Sequence, residues 1–256
     1  MTIETSPALV VGFVLAVVRA AAWVALIPPF ASRSIPAPVK IGLAAALALP
    51  VAPRLAADPP SLETAPLVGA VLFQVGVGLG LGFLTSLLFG AVQAAGDLID
   101  LFGGFTIAQA YDPLSNSSSA LFGRFYQLLA TVLLFALDGH LLLVRGFMTS
   151  FRALAATPPP LDDLSALAID HLGLFVVAAI EIAAPLLGAL FLAEVALGLL
   201  ARAAPQMNVF VLGFPFKILL TLLLGGLTLP LLPGAVGSLV THSVQGGTSV
   251  IRMLGG

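Results

Sequence analysis

Residues 65–96 read APLVGAVLFQVGVGLGLGFLTSLLFGAVQAAG, an apolar stretch without a charged side chain. One membrane crossing requires about 20 apolar residues, so this stretch is longer than a single span needs. A helix over these residues must therefore tilt, bend or project beyond the bilayer. Four of its glycines, Gly76, Gly78, Gly80 and Gly82, form two overlapping Gly-xxx-Gly pairs. Such pairs permit close contact between helices, so we predict helix packing here.

The composition of the whole chain is that of an integral membrane protein. Hydrophobic residues make up 59% of the sequence and charged residues only 9%, against about a quarter charged in soluble domains. The ten scattered Lys and Arg residues, with a net charge of -2, form no basic stripe, so nucleic-acid binding is not expected. The chain has no cysteine, which excludes disulfides and thiolate metal sites.

The other apolar blocks predict an all-α, membrane-associated protein with long bent helices and helical hairpins. A first helix over residues 6–27 ends at Pro28 and Pro29, because proline lacks an N–H and restricts the residue before it. The block at 41–49 is too short to cross about 30 Å of hydrocarbon, so we expect a re-entrant or protein-buried helix. Further helices are predicted over 120–137, 140–154, 165–203 and 206–232, with weaker helical character over 235–254.

A polar segment interrupts the apolar helices at residues 96–119, which read GDLIDLFGGFTIAQAYDPLSNSSS. We expect this segment to be irregular. Unpaired backbone groups in hydrocarbon cost several kcal/mol each, so such a segment must be buried in protein or line an aqueous cavity. It is therefore the best candidate in the sequence for a pore-lining loop.

Four charged residues lie inside predicted apolar helices and are candidates for function because burying charge in a membrane is costly. They are Arg19, Glu181, Glu194 and Lys217. Ion relay is one interpretation; pairing with neighbouring subunits or contact with protein-walled water is the other. At about 100° per residue, Glu181 and Glu194 lie on different helix faces, so they do not predict an acid/base pair.

The sequence predicts neither an enzyme nor a metal or cofactor site. Neither a G-x-S-x-G nor an H-E-x-x-H motif is present. Asp97 and Asp100 share a helix face at i, i+3 spacing, but the histidines at positions 140, 171 and 242 form no supporting motif. The TPPPLDDL stretch at residues 157–164 is the clearest linker and the natural domain boundary.

Three longer stretches together resemble the FliR family of flagellar type III export proteins. They are GGFTIAQAYDPLSNSSSALFGRF from residue 103, LLFALDGHLLLVRGFMTSF from residue 133 and LLARAAPQMNVFVLGFPFKILL from residue 199. An early pattern of Arg19, Pro28, Pro29, Ile35, Pro36 and Lys40 also resembles that family. These matches occur in the family's order and cover most of the chain.

The resemblance implies an export-gate subunit that assembles with FliP and FliQ homologues, and with FlhB and FlhA homologues, in the bacterial inner membrane and flagellar basal body. Unfolded flagellar proteins would be the exported substrates, and membrane lipid a further contact. The assembly is helical and buries apolar surface against other subunits. Residues 1–160 would be a FliP-like helical part and residues 161–256 a FliQ-like hairpin with a C-terminal segment.

The resemblance also implies two functional segments. A plug that closes the channel would comprise residues 103–119, with the candidate residues Gly103, Gly104, Phe105, Ala108, Asp112, Pro113, Ser115, Asn116, Ser117, Ser118 and Ser119. A hairpin turn that contacts other subunits would comprise Pro205, Gln206, Met207 and Asn208, with Lys217 meeting an acidic partner. For the turn, a purely structural role is the alternative.

Three other functions stay open from the sequence. The first is a virulence type III secretion homologue, since the export gates are related. The second is a secondary transporter that uses Arg19, Glu181 and Glu194, although the repeated halves typical of such proteins are not visible. The third is a structural scaffold, which shares the assembly prediction but assigns no gating to residues 103–119.

Overall fold

The computed structural model describes residues 6–32, 35–57, 59–61, 63–106, 120–151, 161–206 and 208–255. Over these ranges the chain is helical and contains no strand, so the predicted all-α class is confirmed. Ten α-helices and two short 3-10 helices are described. They are α1 (Pro7–Leu26), α2 (Pro28–Ala31), α3 (Ala37–Ala48), α4 (Ala52–Ala56), α5 (Thr64–Gly103), α6 (Leu121–Ala136), α7 (Gly139–Ser150), α8 (Leu161–Ala203), α9 (Val209–Leu224), the 3-10 helices Gly225–Leu227 and Leu229–Leu231, and α10 (Leu232–Gly255).

The membrane character predicted from composition extends to the helices themselves. Four helical stretches are long and apolar enough to cross a membrane: Pro7–Leu26, Thr64–Gly103, Ile169–Ala203 and Val211–Thr248. Helices α6 and α7 would form a fifth span, bent by 76°. At about 1.5 Å per residue, the 40-residue helix α5 is roughly 60 Å long. It is therefore about twice as long as the hydrocarbon core is thick, as residues 65–96 predicted.

Local sequence explains where several helices begin and bend. The Oγ of Ser6 accepts a hydrogen bond from Leu9 N at 3.3 Å and caps α1, which ends before Pro28 and Pro29 as predicted. Asp138 has a positive φ of 55° between α6 and α7. A short polar side chain tolerates that left-handed conformation, and the following Gly139 starts α7 in a new direction. The sharp bend between these two helices follows from this pair.

Four predicted boundaries were wrong. Residues 96–103 were expected to be irregular but continue α5. Residues 161–164 were assigned to the linker but start α8; linker residues 157–160 lie outside the described residues. The predicted helix over 206–232 is broken, because Gly225, Gly226 and Pro230 interrupt regular α-helix after Leu224. The C-terminal segment, expected to be weakly helical, is continuous helix from Leu232.

The chain divides into two compact units. Unit 1 contains Met1–Leu87, His140–His171 and Val240–Gly256, and unit 2 contains Leu88–Gly139 and Leu172–Leu239. Both units take residues from each side of position 160, so packing alone does not separate the chain there. The predicted division into residues 1–160 and 161–256 concerns likeness to partner subunits and stays a prediction.

Unit 1 is built on α1. Helices α3 and α4 both pack against it. A Cβ on Gly12 would lie 2.8 Å from Ala52 O and from Ala56 N, so only glycine admits α4 at this distance. Gly82 of α5 approaches Trp23 and Leu26 in the same manner. The Trp23 and Phe147 rings stack with centroids 4.3 Å apart, which fixes α7 against α1.

Unit 2 has its core around Tyr126, Ile99 and Leu186, none of which is measurably exposed. The Tyr126 hydroxyl is hydrogen-bonded to the Thr228 hydroxyl, which donates to Gly225 O at 2.8 Å. These bonds satisfy the buried polar groups where the chain turns from α9 into α10. The turn is therefore anchored to α6, which carries Tyr126.

The candidate gate loop and its surroundings

The described part of the predicted plug is its beginning, and it leads directly out of α5. Gly103 is the last residue of α5, and Gly104 has a φ of 87°, which favours glycine. A Cβ on Gly103 would lie 2.6 Å from the Thr221 hydroxyl, so α9 approaches this end of α5 closely. Gly103 leaves room for α9 at the end of α5, and Gly104 lets the backbone turn away from the helix axis. Of the predicted plug residues, Ala108, Asp112, Pro113, Ser115, Asn116, Ser117, Ser118 and Ser119 lie outside the described residues.

Asp100 joins the two ends of the loop. Its Oδ2 accepts hydrogen bonds from Phe122 N at 2.8 Å and Gly123 N at 3.1 Å, in the first turn of α6. Its backbone carbonyl accepts a hydrogen bond from the Thr106 hydroxyl at 3.1 Å. Ala120, the residue before α6, offers no side chain to cap the helix. Asp100 therefore supplies the missing cap from another helix and holds the exit and the return of the loop together.

Close packing reinforces this junction. The Phe105 and Phe122 rings meet edge to face with centroids 5.5 Å apart. A Cβ on Gly96 would lie 2.5 Å from Phe122 O and 2.6 Å from Gly123 N, so the backbone of α6 rests on this glycine. Overpacking at such a contact would force the two helices apart. The end of α5 and the start of α6 are thus held together by packing as well as by the hydrogen bonds of Asp100.

The two acidic residues noted in the sequence, Asp97 and Asp100, lie in different environments. Asp100 is 1% exposed and caps α6, whereas Asp97 is exposed and lies against Gly123. Among the described residues, no group of three or more His, Asp or Glu side chains is arranged to hold a metal ion. Sequence reasoning missed the capping role, since only the fold brings Asp100 to residues 122 and 123.

The predicted hairpin turn lies between α8 and α9. Pro205 and Gln206 follow the end of α8, and Asn208 caps α9 by accepting a hydrogen bond from Val211 N at 3.3 Å through Oδ1. Met207 lies outside the described residues. The geometry of the described turn accounts for helix termination and helix capping. The predicted contact of this turn with other subunits stays a prediction.

Lys217 has its acidic partner within the same chain. Its ammonium forms an ion pair with Glu194 of α8, across the hairpin from α9. The Lys217 side chain is 19% exposed and the Glu194 side chain 63% exposed. The pair borders a groove of about 490 Å³ whose lining includes Leu101, Gly104 and Phe214. Two of the four intramembrane charges therefore neutralise each other beside the start of the loop.

Arg19 is enclosed by neutral groups in unit 1. It is 1% exposed; its Nε donates to Gln74 Oε1 at 2.6 Å and its Nη1 to Ser150 O at 2.8 Å. Its guanidinium lies 4.3 Å from the centroid of the Phe151 ring. No carboxylate within the described ranges pairs with it. The arrangement joins α1, α5 and the end of α7, which is the chemistry of a structural anchor.

Glu181 stands apart from the other charges. It lies on the exposed side of α8, where Val177 and Ile180 are 52% and 51% exposed. It makes neither an ion pair nor a hydrogen bond to any described residue. Arg19, Glu181 and Glu194, which the transporter hypothesis groups in one site, are not joined by any described hydrogen bond or ion pair.

The fold defines a class: an all-α membrane protein in which a polar stretch of sequence, residues 107–119, separates two helices, α5 and α6, that Asp100 holds together. The sequence matches the family described as "Bacterial export proteins, family 1" over residues 10–243. It is 34% identical over 217 residues to "Flagellar biosynthetic protein FliR" of Pectobacterium carotovorum subsp. carotovorum, covering 84% of this chain and 83% of that protein. Its identity to the FliR protein of Bacillus subtilis is 36% over 212 residues, covering 80% and 81% of the two chains.

Similarity extends to a protein that carries a different name. The "Surface presentation of antigens protein SpaR" of Shigella flexneri is 29% identical over 153 residues, which is 58% of each chain. The chain belongs to the family of bacterial export proteins that includes FliR, as its sequence motifs predicted. It is therefore a membrane-embedded export protein.

Proposed function

We propose that this chain is a subunit of the flagellar type III protein export gate. With FliP and FliQ homologues it forms the channel through which unfolded flagellar proteins leave the cytoplasm, and residues 103–119 close that channel at rest. The gate lies in the bacterial inner membrane at the flagellar basal body, next to FlhA and FlhB homologues. Similarity to two FliR proteins over at least 80% of this chain supports the flagellar assignment.

The observation that carries the gating proposal is the junction built by Asp100. A loop that closes a channel must move or yield without unfolding the helices that bear it. Here the exit at Thr106 and the return at Phe122 are both fixed to Asp100, while the intervening residues 107–121 include four Ser, one Asn, one Asp and one Pro. Such residues form turns that are satisfied by local hydrogen bonds and water, which suits an aqueous lumen.

The exposed apolar surface supports assembly. Phe191 and Leu192 of α8 are 64% and 68% exposed, and Leu223 of α9 is 69% exposed. Such surface must be covered by lipid or by protein. An exposed carboxylate at Glu181 on the same helix is costly against hydrocarbon, which favours a protein neighbour or water there.

The gating proposal is tested by removing the loop from the assembled complex. The chain is co-expressed with its cognate FliP and FliQ homologues, purified and reconstituted into dye-loaded liposomes. Replacing residues 107–119 with a short Gly-Ser linker is feasible because Phe105 and Phe122 are already in contact. We expect normal assembly and a large increase in dye and ion leakage.

The matched control replaces residues 107–119 with a Gly-Ser linker of unchanged length, which keeps the bulk but removes the sequence. If this control leaks less than the short-linker variant, the bulk of the loop contributes to closing the channel. An assembled short-linker complex with the permeability of the wild type would contradict the gate and leave the scaffold function.

A virulence secretion role is the second candidate, and the similarity to SpaR is the observation that favours it. Expression of the chain in a flagellar mutant that lacks its FliR protein distinguishes a flagellar function from a virulence secretion function. Restored motility supports the flagellar assignment, and restored virulence secretion in a SpaR mutant without restored motility supports the other. If the chain is monodisperse on its own and binds neither the FliP nor the FliQ homologue, the transporter hypothesis is favoured.

A further inference from the structure

A second cavity lies in unit 1. It has a volume of about 470 Å³ and is lined by the turn between α3 and α4, by α4 and by the C-terminal half of α7. Two arginines line it, Arg54 from α4 and Arg145 from α7. At about 30 Å³ per water, the cavity has room for roughly fifteen waters, which is enough for a small polar headgroup.

The two arginines have no acceptor among the described residues. Both side chains are exposed, and the ion pair found in the described part of the chain is that of Lys217 and Glu194. Guanidinium groups present rigid pairs of N–H donors that match the oxygens of phosphate. Two of them on one cavity therefore define a site for an anion with several oxygens.

Apart from Thr149, whose hydroxyl donates to Arg145 O at 2.8 Å, the rest of the lining is apolar. Its apolar lining comprises Pro50 and Val51 before α4, and Val144 and Met148 of α7. A free inorganic anion gains nothing from such walls, whereas an amphiphile places its charge at the arginines and its chains along the apolar side. Helix α7 also belongs to a bent apolar pair that is a candidate membrane span by length and composition, and a membrane lipid is an amphiphile of this kind.

We propose that this cavity binds the phosphate headgroup of an anionic phospholipid. The phosphate lies between Arg54 and Arg145, and the glycerol and upper acyl chains lie against Val51, Val144 and Met148. Basic pockets between membrane helices recognise anionic headgroups by this combination of charge and apolar surface. The lipid links α4 to α7 and so stabilises unit 1.

The test is native mass spectrometry of the full chain released from detergent micelles that contain phosphatidylglycerol or phosphatidylcholine. We expect phosphatidylglycerol to remain bound and phosphatidylcholine to be lost. Each basic residue near a membrane contributes about a fivefold preference for anionic lipid. Arg54→Gln or Arg145→Gln should therefore weaken retention about fivefold, and the double variant roughly thirtyfold.

The matched control is the double variant Arg124→Gln with Arg202→Gln, which makes the same change in net charge at exposed positions outside the cavity. It should retain phosphatidylglycerol as the wild type does. A further variant, Met148→Trp, fills the cavity while keeping both arginines and should also lose the lipid. Helical content and elution volume are measured for every variant, so that only folded protein is compared.

Three results would overturn the proposal. Equal retention of both lipids would exclude headgroup recognition. Equal loss in the control and in the double variant of Arg54 and Arg145 would reduce the effect to net charge. Inorganic phosphate at millimolar concentration that displaces phosphatidylglycerol fully would show a site for soluble anions instead of lipid.

Discussion

The buried charged side chains Arg19 of unit 1 and Asp100 of unit 2 differ in how fully they are hydrogen-bonded. In unit 1, Arg19 donates to Gln74 and Ser150, so that residues far apart in sequence share one cation. In unit 2, Asp100 uses one oxygen for the start of α6, while its Oδ1 has no hydrogen-bond partner in the described part of the chain. Arg19 therefore connects α1 to α5 and to the end of α7. Asp100 connects the end of α5 to the start of α6, the two helices that the candidate plug separates in sequence.

The difference teaches that a charge inside an apolar helix can be structural in two distinct senses. An arginine with several neutral partners contributes to global stability, since its loss leaves several buried groups unpaired. A carboxylate that caps one helix controls local order, since its loss frees only the first turn. Experiments that separate global from local stability therefore test this comparison directly.

The largest effect is expected for Arg19→Met. The substitution leaves the buried acceptors Gln74 Oε1 and Ser150 O without their donor, at about 1–3 kcal/mol each, or about 2–6 kcal/mol in total. The midpoint of thermal unfolding in detergent should fall accordingly. Arg202→Met, at an exposed position, is the control and should leave the midpoint unchanged. Similar unfolding midpoints for Arg19→Met and Arg202→Met would show that Arg19 does not stabilise the fold.

The next effect is expected for Asp100→Ala, and it should be local. Loss of a helix cap costs about 0.5–2 kcal/mol, which should speed hydrogen exchange at the amides of Phe122 and Gly123 by roughly two- to thirtyfold. Asp100→Asn keeps a carbonyl oxygen as acceptor and should restore most of the protection. Exchange measured by mass spectrometry over the first turn of α6 reports both.

Asp97→Ala is the matched control for this second prediction, since Asp97 lies on the same face of α5 but accepts no hydrogen bond from the first turn of α6. If Asp97→Ala and Asp100→Ala speed exchange equally, the cap is not the cause. If Asp100→Ala lowers the thermal midpoint as much as Arg19→Met does, the distinction between global and local roles fails.

The sequence predicted the fold class, the family and most helices because these follow from composition, apolar runs and proline positions. Pro28 and Pro29 located the end of α1 without any knowledge of packing. The glycine pattern was predictive only in part. Gly78 and Gly82 do lie against α1, but Gly76 and Gly80, with the same spacing, have nothing within 4 Å. Spacing shows which glycines share a helix face and not which face meets a neighbour.

The candidate site was harder to predict for a related reason. The plug and hairpin came from motif resemblance, and their gating and subunit contacts stay predictions. Asp100 and Thr221, which frame the loop, carry no local motif, because their partners lie many residues away in sequence. The pairing of Lys217 with Glu194 was likewise invisible, although an acidic partner for Lys217 was expected.

The smallest effect is expected for Lys217→Glu, because an exposed ion pair is worth about 0–1 kcal/mol. The substitution places two carboxylates together beside the groove at Gly104. We expect the yield of complex with the FliP and FliQ homologues to fall more than the pore conductance changes. Sizing of the co-purified complex and conductance of the reconstituted channel measure the two quantities.

The double variant Glu194→Lys with Lys217→Glu decides where that effect arises. If the pair orders the hairpin of α8 and α9 for assembly, exchanging the charges restores attraction and should restore the yield. A normal yield from Lys217→Glu alone would show that the pair is dispensable. A yield that stays low after the exchange would mean that Lys217 meets an acidic group on another subunit, and the hairpin would then be an interface in its own right.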